Sequence, residues 1–534
     1  MRLFGSFEGR ADTVAKMRKK VLSAALAFLT LGALMTGCTN SEKTSSPDMQ
    51  KFVETMEKDS FVQEGSLVAL DTIELASQKQ LISCFGNNAG SAYVVPFLPP
   101  APNQEPSAGV HNAVYDWADE KPSVYFDENK TDNYPANPYF SPVGWSYKLA
   151  ENEAVVLVGE LPPECKYYSF INYIFFSEIK DGKDYSKEKG FFQIGTEETG
   201  FYHPIFGSLG APINPVNIKS QNGEKYGSKF AIIVTGDKNT FTKTKNALVS
   251  AGVAENIINE SPLPAATLNM GLEKGKDTFT TLMRISQPTN QTDYESYINS
   301  LGEKFKVYRI TPKDENAEKS PYNAEYARER GTGKSEVSVL PNAPQTLDEI
   351  RTKLIEEYGA DYTYEELSAE IAVPEGMTAY LNDTNAQGDN RDTTYLMTRD
   401  FTLNSDEDFV VVYGVNHTKT QKATYSNTVL YSRPMLNGIA SVYDSLYEGS
   451  SEKYLDASNE NRDSYYVYKF ARTKTDDYTK VIEFSEGNEK GEYYGADNGD
   501  TLLLAYRAYL EPETGVGASY YEIIYDRAIV FHKK

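Results

Sequence analysis

The chain has 534 residues, of which 40% are hydrophobic and 24% are charged, and its formal net charge is −23 at pH 7. A chain of this length and composition can bury two or three domain cores, which excludes a largely disordered protein. Because so much negative charge repels polyanions, we expect no nucleic-acid partner and no direct attraction of the folded body to anionic lipid head groups.

The first 37 residues have the organisation of a secretory signal. A short basic segment at residues 17–20 precedes an apolar run at residues 21–34, which is too short to span a bilayer as a stable anchor. The run leads into the sequence LMTGC at residues 34–38, which resembles the lipobox of bacterial lipoproteins. The resemblance implies that Cys38 is acylated and becomes the first residue of the mature protein. The alternative is an ordinary signal peptide that is cleaved nearby.

Residues 38–49 are small and polar, as expected for a flexible tether between a membrane and a folded body. Acyl chains on Cys38 would hold the protein at the membrane, since each buried methylene contributes about 0.8 kcal/mol. We therefore predict a lipid-anchored protein of the cell membrane whose body lies outside the cytoplasm and meets an extracellular ligand.

The composition of the remaining chain changes three times. Residues 50–237 contain short apolar runs separated by turn signals, which predicts a first β domain of sandwich or jelly-roll type. Residues 238–312 mix helical and strand patterns and predict a small α/β insert of ferredoxin-like type. Residues 313–345 are polar and charged and predict a linker or long loop. Residues 346–534 predict an amphipathic helix followed by a second β domain.

The two predicted β domains share a pattern. Residues 147–177 and 401–432 both run from aromatic-x-Leu through an acidic turn into an apolar run, reach a glycine, and leave through Tyr-Ser into a tyrosine-rich strand. A weaker echo follows at residues 229–231 and 469–471, which are both Lys-Phe-Ala. The pattern predicts one β unit used twice, and the alternative is coincidence between short β-strand sequences.

Tyrosine is unusually frequent, with 39 residues against 2 tryptophans and 4 histidines. Its ring packs on half-buried strand surfaces while its hydroxyl stays accessible to polar partners. The excess therefore indicates either aromatic pairs across neighbouring strands or a ligand groove lined by tyrosines.

An incomplete calcium-loop pattern occurs in the second predicted β domain. Asp383, Asn385 and Asp389 place side-chain oxygens at alternate positions around a glycine turn, as in the first half of an EF-hand loop. The twelfth position should be a bidentate acid, but it is Thr394. The pattern is typical of a polar surface turn, and the alternative is a Ca²⁺ site completed by other oxygens. No other cofactor is predicted.

The tripeptide Asn-Arg-Asp occurs twice before a tyrosine-containing strand, with Arg391 and Asp392 in the first copy and Arg462 and Asp463 in the second. An Asp at this position commonly caps the turn, and the adjacent Arg pairs locally. The alternative is a pair of ligand-binding arms, because an arginine can hold a carboxylate with two parallel hydrogen bonds.

His417 follows the apolar run of the second β domain, at the end of a predicted central strand. A loop histidine in this place suits general acid–base catalysis or ligand binding. The default expectation is an exposed loop residue. The sequence contains no zinc-binding spacing of histidines and no G-x-S-x-G nucleophile motif.

Cys84 and Cys165 are the only cysteines after Cys38. Outside the cytoplasm they could form a disulfide that closes a long loop, which would stabilise the fold by about 4 kcal/mol. The alternative is two buried thiols.

These patterns predict a mainly β protein in which two related sandwich-like or jelly-roll-like domains bracket a small α/β insert. The leading functional prediction is a lipid-anchored extracytoplasmic binding or interaction protein, whose two β domains form a groove for a ligand. The alternative is an envelope hydrolase that uses carboxylates, for example on carbohydrate.

Overall fold

The structure, a computed structural model, describes residues 47–70, 72–73, 84, 86–102, 104, 113–116, 121–124, 146–183, 194–196, 200–323 and 328–534. Cys38, the predicted signal peptide and most of the predicted tether lie outside the described residues. Strands outnumber helices and are longer in total, so the prediction of a mainly β fold is confirmed.

The strands of the first half of the chain form one large sheet and a separate hairpin of β3 and β4. In chain order they are β1 (Ser60–Leu70), β2 (Ser91–Phe97), β3 (Ala113–Asp116), β4 (Lys121–Val124), β5 (Ala154–Glu160), β6 (Cys165–Glu178), β7 (Ile194–Thr196), β8 (Gly200–Ile213), β9 (Lys229–Thr235), β10 (Ile258–Pro262), β11 (Thr278–Pro288) and β12 (Lys306–Pro312).

The strands of the second half form a second large sheet. In chain order they are β13 (Tyr362–Ile371), β14 (Thr393–Thr398), β15 (Phe401–Thr402), β16 (Phe409–Val415), β17 (Tyr425–Ser432), β18 (Asn437–Tyr443), β19 (Tyr465–Ala471), β20 (Thr479–Val481), β21 (Thr501–Tyr509) and β22 (Arg527–Lys533).

Helices lie before and between the strands, and several begin at side-chain caps. The carboxylate of Asp237 accepts a hydrogen bond from the Thr240 amide at 2.8 Å, and the Asn290 side chain accepts one from the Thr292 amide at 2.9 Å. Such caps satisfy amide groups that have no partner inside the helix. The helices are α1 (Met49–Met56), α2 (Lys238–Ser250), α3 (Gln291–Asn299), α4 (Leu301–Lys304), α5 (Glu336–Val339), α6 (Ala343–Tyr358) and α7 (Gly376–Leu381).

The two large sheets have the same strand order. Along the first sheet the order is β10-β9-β5-β12-β1-β2-β11-β6-β8, with β7 added at the far edge. Along the second sheet it is β20-β19-β16-β22-β13-β14-β21-β17-β18. When the strands named in each of these two orders are numbered by their position along the chain, the same numbers occur at the same places in both sheets. The pair at the first edge is parallel in both sheets, and its neighbour pair is antiparallel in both. The fold is therefore a tandem repeat of one β unit.

Residues 238–312, predicted to form an α/β insert, supply helices α2 to α4 and strands β10 to β12. These strands pair within the first sheet: β11 lies between β2 and β6, and β12 lies between β1 and β5. They occupy the places that β21 and β22 occupy in the second sheet. The segment therefore completes the first repeat, which extends from β1 to β12, while the second repeat extends from β13 to β22.

The segment between the repeats, residues 313–345, was predicted as a linker or long loop. It contains the short helix α5 and makes hydrogen bonds to both repeats. The Tyr322 amide donates to the carbonyl of Gly236 at 2.9 Å, and the Gly333 amide donates to the carboxylate of Glu522 at 2.6 Å. The described part of this segment is therefore held against both repeats.

Apolar residues cover both faces of the first sheet. Val155 and Leu157 of β5 belong to the largest cluster of that repeat. The alternating residues Ala154 and Val156 point to the other face and join a cluster with Phe52 of α1 and with α2. Because successive strand residues point to opposite faces, a continuous apolar run such as β5 predicts a strand that is buried on both sides. In the second repeat, β16 divides its residues between two clusters in the same way.

A buried carboxylate joins the acidic turn to the last strand of each repeat. In the first repeat, Glu153 and Arg309 are both 0% exposed and form two hydrogen bonds of 2.8 Å and 2.7 Å. In the second repeat, Asp408 Oδ2 lies 2.8 Å from Nδ1 of His532. The acidic turns that suggested the repeat in the sequence therefore have equivalent positions and equivalent roles.

We expect Glu153→Gln to lower the free energy of unfolding by about 3–5 kcal/mol, because it leaves the Arg309 charge buried without its partner. Denaturant unfolding measures this loss. The matched control is Glu151→Gln on the same turn. Its carboxylate pairs with Lys319 at 3.4 Å and is partly exposed, so the expected loss is below about 1 kcal/mol. Equal losses in the two variants would contradict the assigned role of Glu153.

Candidate functional site

A cavity of about 360 Å³ lies between the two repeats and is lined by residues of both. This volume falls in the range of small-molecule sites. The cavity is therefore the leading candidate for a binding site in the described part of the chain.

Alternate residues of two equivalent strands, β11 and β21, line the cavity. Since alternate side chains of a strand share one face, a single face of each strand is turned towards it. The lining residues of the two strands are Thr280, Leu282, Arg284 and Ser286 from β11, and Leu503, Ala505, Arg507 and Tyr509 from β21.

The strand register makes these two series equivalent. Arg284 pairs with Tyr93 on the neighbouring strand β2, and Arg507 pairs in the same way with Tyr395 on β14. Four residues before each arginine, Thr280 pairs with Tyr173 on β6 and Leu503 pairs with Tyr431 on β17. The equivalent residues are therefore Arg284 and Arg507, Tyr93 and Tyr395, and Tyr173 and Tyr431, and all of these except Tyr173 line the cavity.

Arg284 is 9% exposed, and its guanidinium lies between two tyrosines of its own repeat. Its Cζ is 5.7 Å from the ring centroid of Tyr93 and 5.8 Å from that of Tyr173, distances typical of cation–π contacts. Nη2 donates to the Tyr173 hydroxyl at 2.8 Å and to the carbonyl of Gly388 at 2.7 Å. Nη1 donates to the Tyr395 hydroxyl at 3.2 Å. Gly388 and Tyr395 belong to the second repeat, so Arg284 bridges the two repeats.

Arg507 is also 9% exposed and lies over the rings of Tyr395 and Tyr431, at 5.6 Å and 5.3 Å from their centroids. Its Nη2 donates to the Tyr431 hydroxyl at 2.6 Å. Its Nη1 has no hydrogen-bond partner among the described residues. Arg507 therefore has fewer hydrogen bonds than Arg284 and more donor capacity for a ligand.

No acidic side chain lines the cavity among the described residues, although the whole chain is strongly acidic. The third arginine of the lining, Arg433, has a side chain that is 44% exposed and lies 3.4 Å from the carboxylate of Asp400. The two buried arginines therefore give the interior of the cavity a positive charge. An anion is the ligand that this charge attracts most strongly.

Three tyrosine hydroxyls around these arginines, those of Tyr173, Tyr431 and Tyr509, are neutral near pH 7. Burial raises the pKa of Tyr431 to about 12, and burial also raises the pKa of Tyr173 and Tyr509 well above the ordinary value. Because these side chains stay protonated, they act as hydrogen-bond donors and acceptors without neutralising the guanidinium groups. The tyrosine content thus serves this cavity as well as strand packing, where Tyr425 stacks on its cross-strand neighbour Tyr509 at 5.0 Å.

Other parts of the lining are apolar. They come from both repeats and include aromatic and aliphatic side chains, so a ligand body that is apolar would be removed from water there. Leu70, Phe175, Phe206, Leu282, Met397 and Leu503 are among these residues.

His417 is buried, with 4% exposure, so the default expectation of an exposed loop residue is wrong. Its Nδ1 lies 2.8 Å from Glu336 Oε1, and its Nε2 lies 3.4 Å from Asp526 Oδ2. Burial opposes a charge on the ring, but the two carboxylates raise the pKa of His417 well above its ordinary value. The imidazole is therefore a charged partner in a buried network, and it is not part of the cavity lining.

The two predicted Arg-Asp pairs have different surroundings. Arg391 is paired with Glu375 inside the second repeat. Arg462 lies 3.2 Å from Glu452, and Asp463 is exposed on a short turn. None of these residues lines the cavity among the described residues. Their arginines have local carboxylate partners, as the interpretation of local pairing predicted.

Asp392 is buried between the repeats. Its carboxylate accepts hydrogen bonds from the Tyr167 hydroxyl at 2.9 Å and from the Asn214 amide at 3.0 Å, and both partners belong to the first repeat. Burial raises the pKa of Asp392 to about 7. This residue therefore links the repeats through neutral donors.

Asp389, one of the predicted calcium ligands, is also committed to the contact between repeats. Its carboxylate accepts hydrogen bonds from the amide and the hydroxyl of Ser208, both at 2.7 Å, and from the amide of Gly376 at 2.9 Å. Burial raises its pKa to about 6. Its oxygens are thus already occupied by protein donors.

The other two predicted calcium ligands have separate partners. Asp383 Oδ1 lies 2.9 Å from Nε2 of His203, and the Asn385 side chain accepts a hydrogen bond from the Gln387 amide at 2.7 Å. Within the described ranges, no group of three His, Cys, Asp or Glu side chains is placed to hold a metal ion. Two residues of this turn, Asn385 and Gln387, do line the cavity.

Cys84 and Cys165 are both buried and are not joined by a disulfide, so the alternative of two buried thiols is correct. They belong to different apolar clusters. Burial raises the pKa of Cys165 to about 12, and its thiol donates to the carbonyl of Tyr167 at 3.4 Å. Cys84 lines the cavity.

Sequence reasoning missed the two arginines of the cavity. The available signal was an arginine in the middle of an otherwise apolar strand, in TFTTLMRISQP at residues 278–288 and in TLLLAYRAY at residues 501–509. A charged residue at such a position needs a partner or a function, since burial of a charge is unfavourable.

No known protein-family model matches this chain, and no curated protein matches it. A solved structure of an uncharacterised protein from Burkholderia cenocepacia is 8% identical, covers 98% of this chain and 95% of its own chain, and has a TM-score of 0.33. A solved structure of a protein from Vibrio parahaemolyticus is 10% identical, covers 72% of this chain and 87% of its own, and has a TM-score of 0.28. At these TM-scores, neither structure assigns a fold or a function to this chain.

Within the described ranges, none of the helices combines the length and the apolar character that a membrane span requires.

The raised pKa of Asp392 predicts a pH-dependent stability. Its pKa is about 7 in the folded protein and about 3.9 in an unfolded chain. Between these values the folded state binds the extra proton, so the contribution of Asp392 to stability falls as the pH rises, by up to about 4 kcal/mol in total. Asparagine cannot ionise. We therefore expect the Tm of Asp392→Asn, minus that of the unmodified protein, to become more positive from about pH 5 to about pH 8.

Thermal melts of Asp392→Asn and of the exposed control Asp463→Asn measure this effect. The Tm difference of the control should not follow the same trend with pH. A Tm difference for Asp392→Asn that does not change with pH would contradict the raised pKa.

Proposed function

We propose that this chain is a binding protein that holds a small anionic ligand in the cavity between its two repeats. The observation that supports this proposal is the pair of buried guanidinium groups, Arg284 and Arg507, in a cavity whose described lining includes no Asp or Glu. The site is therefore positively charged, whereas the chain as a whole carries a net negative charge.

Energetics supports an anionic ligand. Removing a cation from water costs several kcal/mol when no counter-charge accompanies it. Hydrogen bonds to tyrosine hydroxyls offset part of this cost, but they supply no negative charge. An anion in the cavity would form charge-assisted hydrogen bonds in surroundings of low dielectric constant, where such bonds are stronger than in water.

The site is also arranged for recognition. Tyrosine rings hold both guanidinium planes, so little side-chain freedom remains to be lost when a ligand binds. The planar fork of an arginine matches the oxygen atoms of a carboxylate or a phosphate. The alternative of a carboxylate-dependent hydrolase has no acidic pair at this cavity among the described residues. Binding is therefore the function that the geometry favours.

The proposal includes the location inferred from the N-terminal sequence. Acylation of Cys38 would tether the body outside the cytoplasm, and the ligand would then be a molecule that reaches the outer face of the membrane. The support is the lipobox-like sequence at residues 34–38 and the polar composition of residues 38–49. The first described helix, α1, begins at Met49, the last residue of this polar stretch.

Anilinonaphthalene sulfonate, an aromatic monoanion, provides a probe of the cavity. We expect Arg507→Met to weaken its binding at least about tenfold, because one charge-assisted hydrogen bond contributes about 1.5–3 kcal/mol. Fluorescence titration measures the affinity. The matched control is Arg399→Met, whose side chain is 63% exposed and paired with Glu365 on the surface.

Circular dichroism and the Tm of Arg507→Met establish whether this variant folds, and Arg507→Lys provides a second variant that keeps the charge. We expect Arg507→Lys to retain part of the affinity. An unchanged affinity in Arg507→Met would overturn the proposed site.

Cys38→Ser tests the anchor. We expect this variant to move from the membrane fraction to the aqueous fraction of cells that express the full chain, because serine cannot carry the thioether-linked lipid. Ser45→Ala, in the same polar segment, should stay with the membranes. Membrane association of Cys38→Ser equal to that of the unmodified protein would contradict the anchor.

A further inference from the structure

The two guanidinium groups of the cavity share a contact residue. Arg284 Nη1 donates to the Tyr395 hydroxyl at 3.2 Å, and Arg507 Cζ lies 5.6 Å from the centroid of the same ring. The two cations therefore act on one region of the cavity, and a single group of a ligand can interact with both.

A monoanion would compensate only one of these two charges. Like charges repel strongly where the dielectric constant is low, so the remaining cation would stay unfavourable. Asp392 interacts electrostatically with Arg284, but its carboxylate is bonded to Tyr167 and Asn214 and does not line the cavity. The described lining itself supplies no negative charge, so a ligand group with two negative charges is the one that would compensate both guanidinium groups from within the cavity.

The hydrogen-bond donors favour a compact group with several acceptor oxygens. Arg507 has an unpartnered Nη1, and Arg284 has an unpartnered Nε among the described residues. The hydroxyls of Tyr395 and Tyr431 already accept hydrogen bonds from these arginines and have their own protons to donate. A phosphate monoester offers three acceptor oxygens and a charge close to −2 at pH 7.

The rest of the ligand must suit the apolar lining. Leu282 and Leu503 lie on the same strand faces as the two arginines. Phe175 and Phe206 add aromatic surface from the first repeat. An apolar body attached to the charged group would occupy this side of the cavity and contribute roughly 25 cal/mol per Å² of apolar surface removed from water.

We propose that the ligand carries a dianionic head group of the phosphate monoester type on an apolar body. This assignment rests on the proposed function of the cavity and specifies its ligand class. Both guanidinium groups hold the head group, while the apolar lining holds the body.

Octyl phosphate and octyl sulfate test the charge directly, because they share a chain and a tetrahedral head group. Sulfate esters remain monoanions, whereas a phosphate monoester loses its second proton near pH 6. Calorimetric titration below the concentration of micelle formation measures both affinities. At about pH 8 we expect octyl phosphate to bind at least about tenfold more tightly, and near pH 5 we expect this advantage to disappear.

The sulfate ester also controls for titration of the protein. The titratable groups that line the cavity are Cys84, Arg284, Arg433, Arg507 and four tyrosines, Tyr93, Tyr395, Tyr431 and Tyr509. Asp389 and Asp392 titrate behind this lining. Ionisation of these carboxyls as the pH rises would weaken the binding of a dianion more than that of a monoanion. That effect would lower the ratio of the two affinities, so a ratio that rises with pH reports the charge of the ligand.

Two variants assign the effect to the arginine pair. Arg284→Met and Arg507→Met should each reduce the advantage of octyl phosphate over octyl sulfate at least about tenfold, and Arg399→Met should preserve it. Because Arg284 also bridges the repeats, its variant is interpreted only at temperatures below its measured Tm. Arg507→Met makes the same test at a residue with fewer structural contacts.

The outcomes separate this inference from the proposed function. Equal affinities for the two esters at about pH 8, both weakened by Arg507→Met, would overturn the dianionic ligand and leave anion binding in place. No binding of either ester, or binding that is insensitive to Arg507→Met, would overturn both. An affinity for octylmalonate, a dicarboxylate, that equals or exceeds that for octyl phosphate would overturn the phosphate head group.

Discussion

The period of two residues along a β-strand is the constraint on which the cavity depends. Arg284 and Arg507 reach the cavity because the register of β11 and β21 turns alternate side chains towards it. A slip of one residue would move each arginine to the opposite face of its sheet. The faces opposite the arginines are apolar: Phe279, Met283 and Ile285 of β11 pack in the main cluster of the first repeat, and Leu502, Leu504 and Tyr506 of β21 pack in a cluster of the second repeat. Packing on the far side of each sheet thus fixes which side chains face the cavity.

The net charge of the chain describes its surface and not its interior. A charge of −23 keeps polyanions away from the surface, but exposed charges are screened over about 8–10 Å at physiological ionic strength. Inside the protein the dielectric constant is lower, and nearby groups dominate. Two arginines without acidic neighbours in the lining therefore outweigh many solvated carboxylates. Composition alone cannot reveal such a local reversal of charge.

Local sequence patterns predicted much of the fold. The acidic turns, the apolar runs and the helical spacing are all short-range signals, and they identified β5, β16 and α6 near their observed positions. The predicted repeat was correct for the same reason, since residues 147–177 and 401–432 contain equivalent strands. The echo at residues 229–231 and 469–471 lies on equivalent strands but in different register, because Lys229 pairs with Glu160 and Lys469 pairs with Val411.

The remaining features depend on contacts between distant parts of the chain. The sequence of residues 238–312 resembles an independent α/β unit, because nothing local indicates that β11 pairs with β2 and β6. His417 resembles an exposed loop residue until Glu336, which is 81 residues away, is placed beside it. The cavity requires the two repeats to be packed together, so no single segment shows it. Strand pairing over such separations has no short-range signature in one sequence.

The unequal bonding of the two equivalent arginines has a consequence for how a ligand is oriented. A symmetric pair of separate subunits would present identical guanidinium groups, and a guest could be bound equally well in either of two directions. In this chain the two copies differ. Arg284 donates hydrogen bonds across the boundary between the repeats, to the Gly388 carbonyl and the Tyr395 hydroxyl, whereas Nη1 of Arg507 has no partner among the described residues. The two sides of the cavity are therefore chemically different, and a ligand of the proposed kind would bind in one preferred direction.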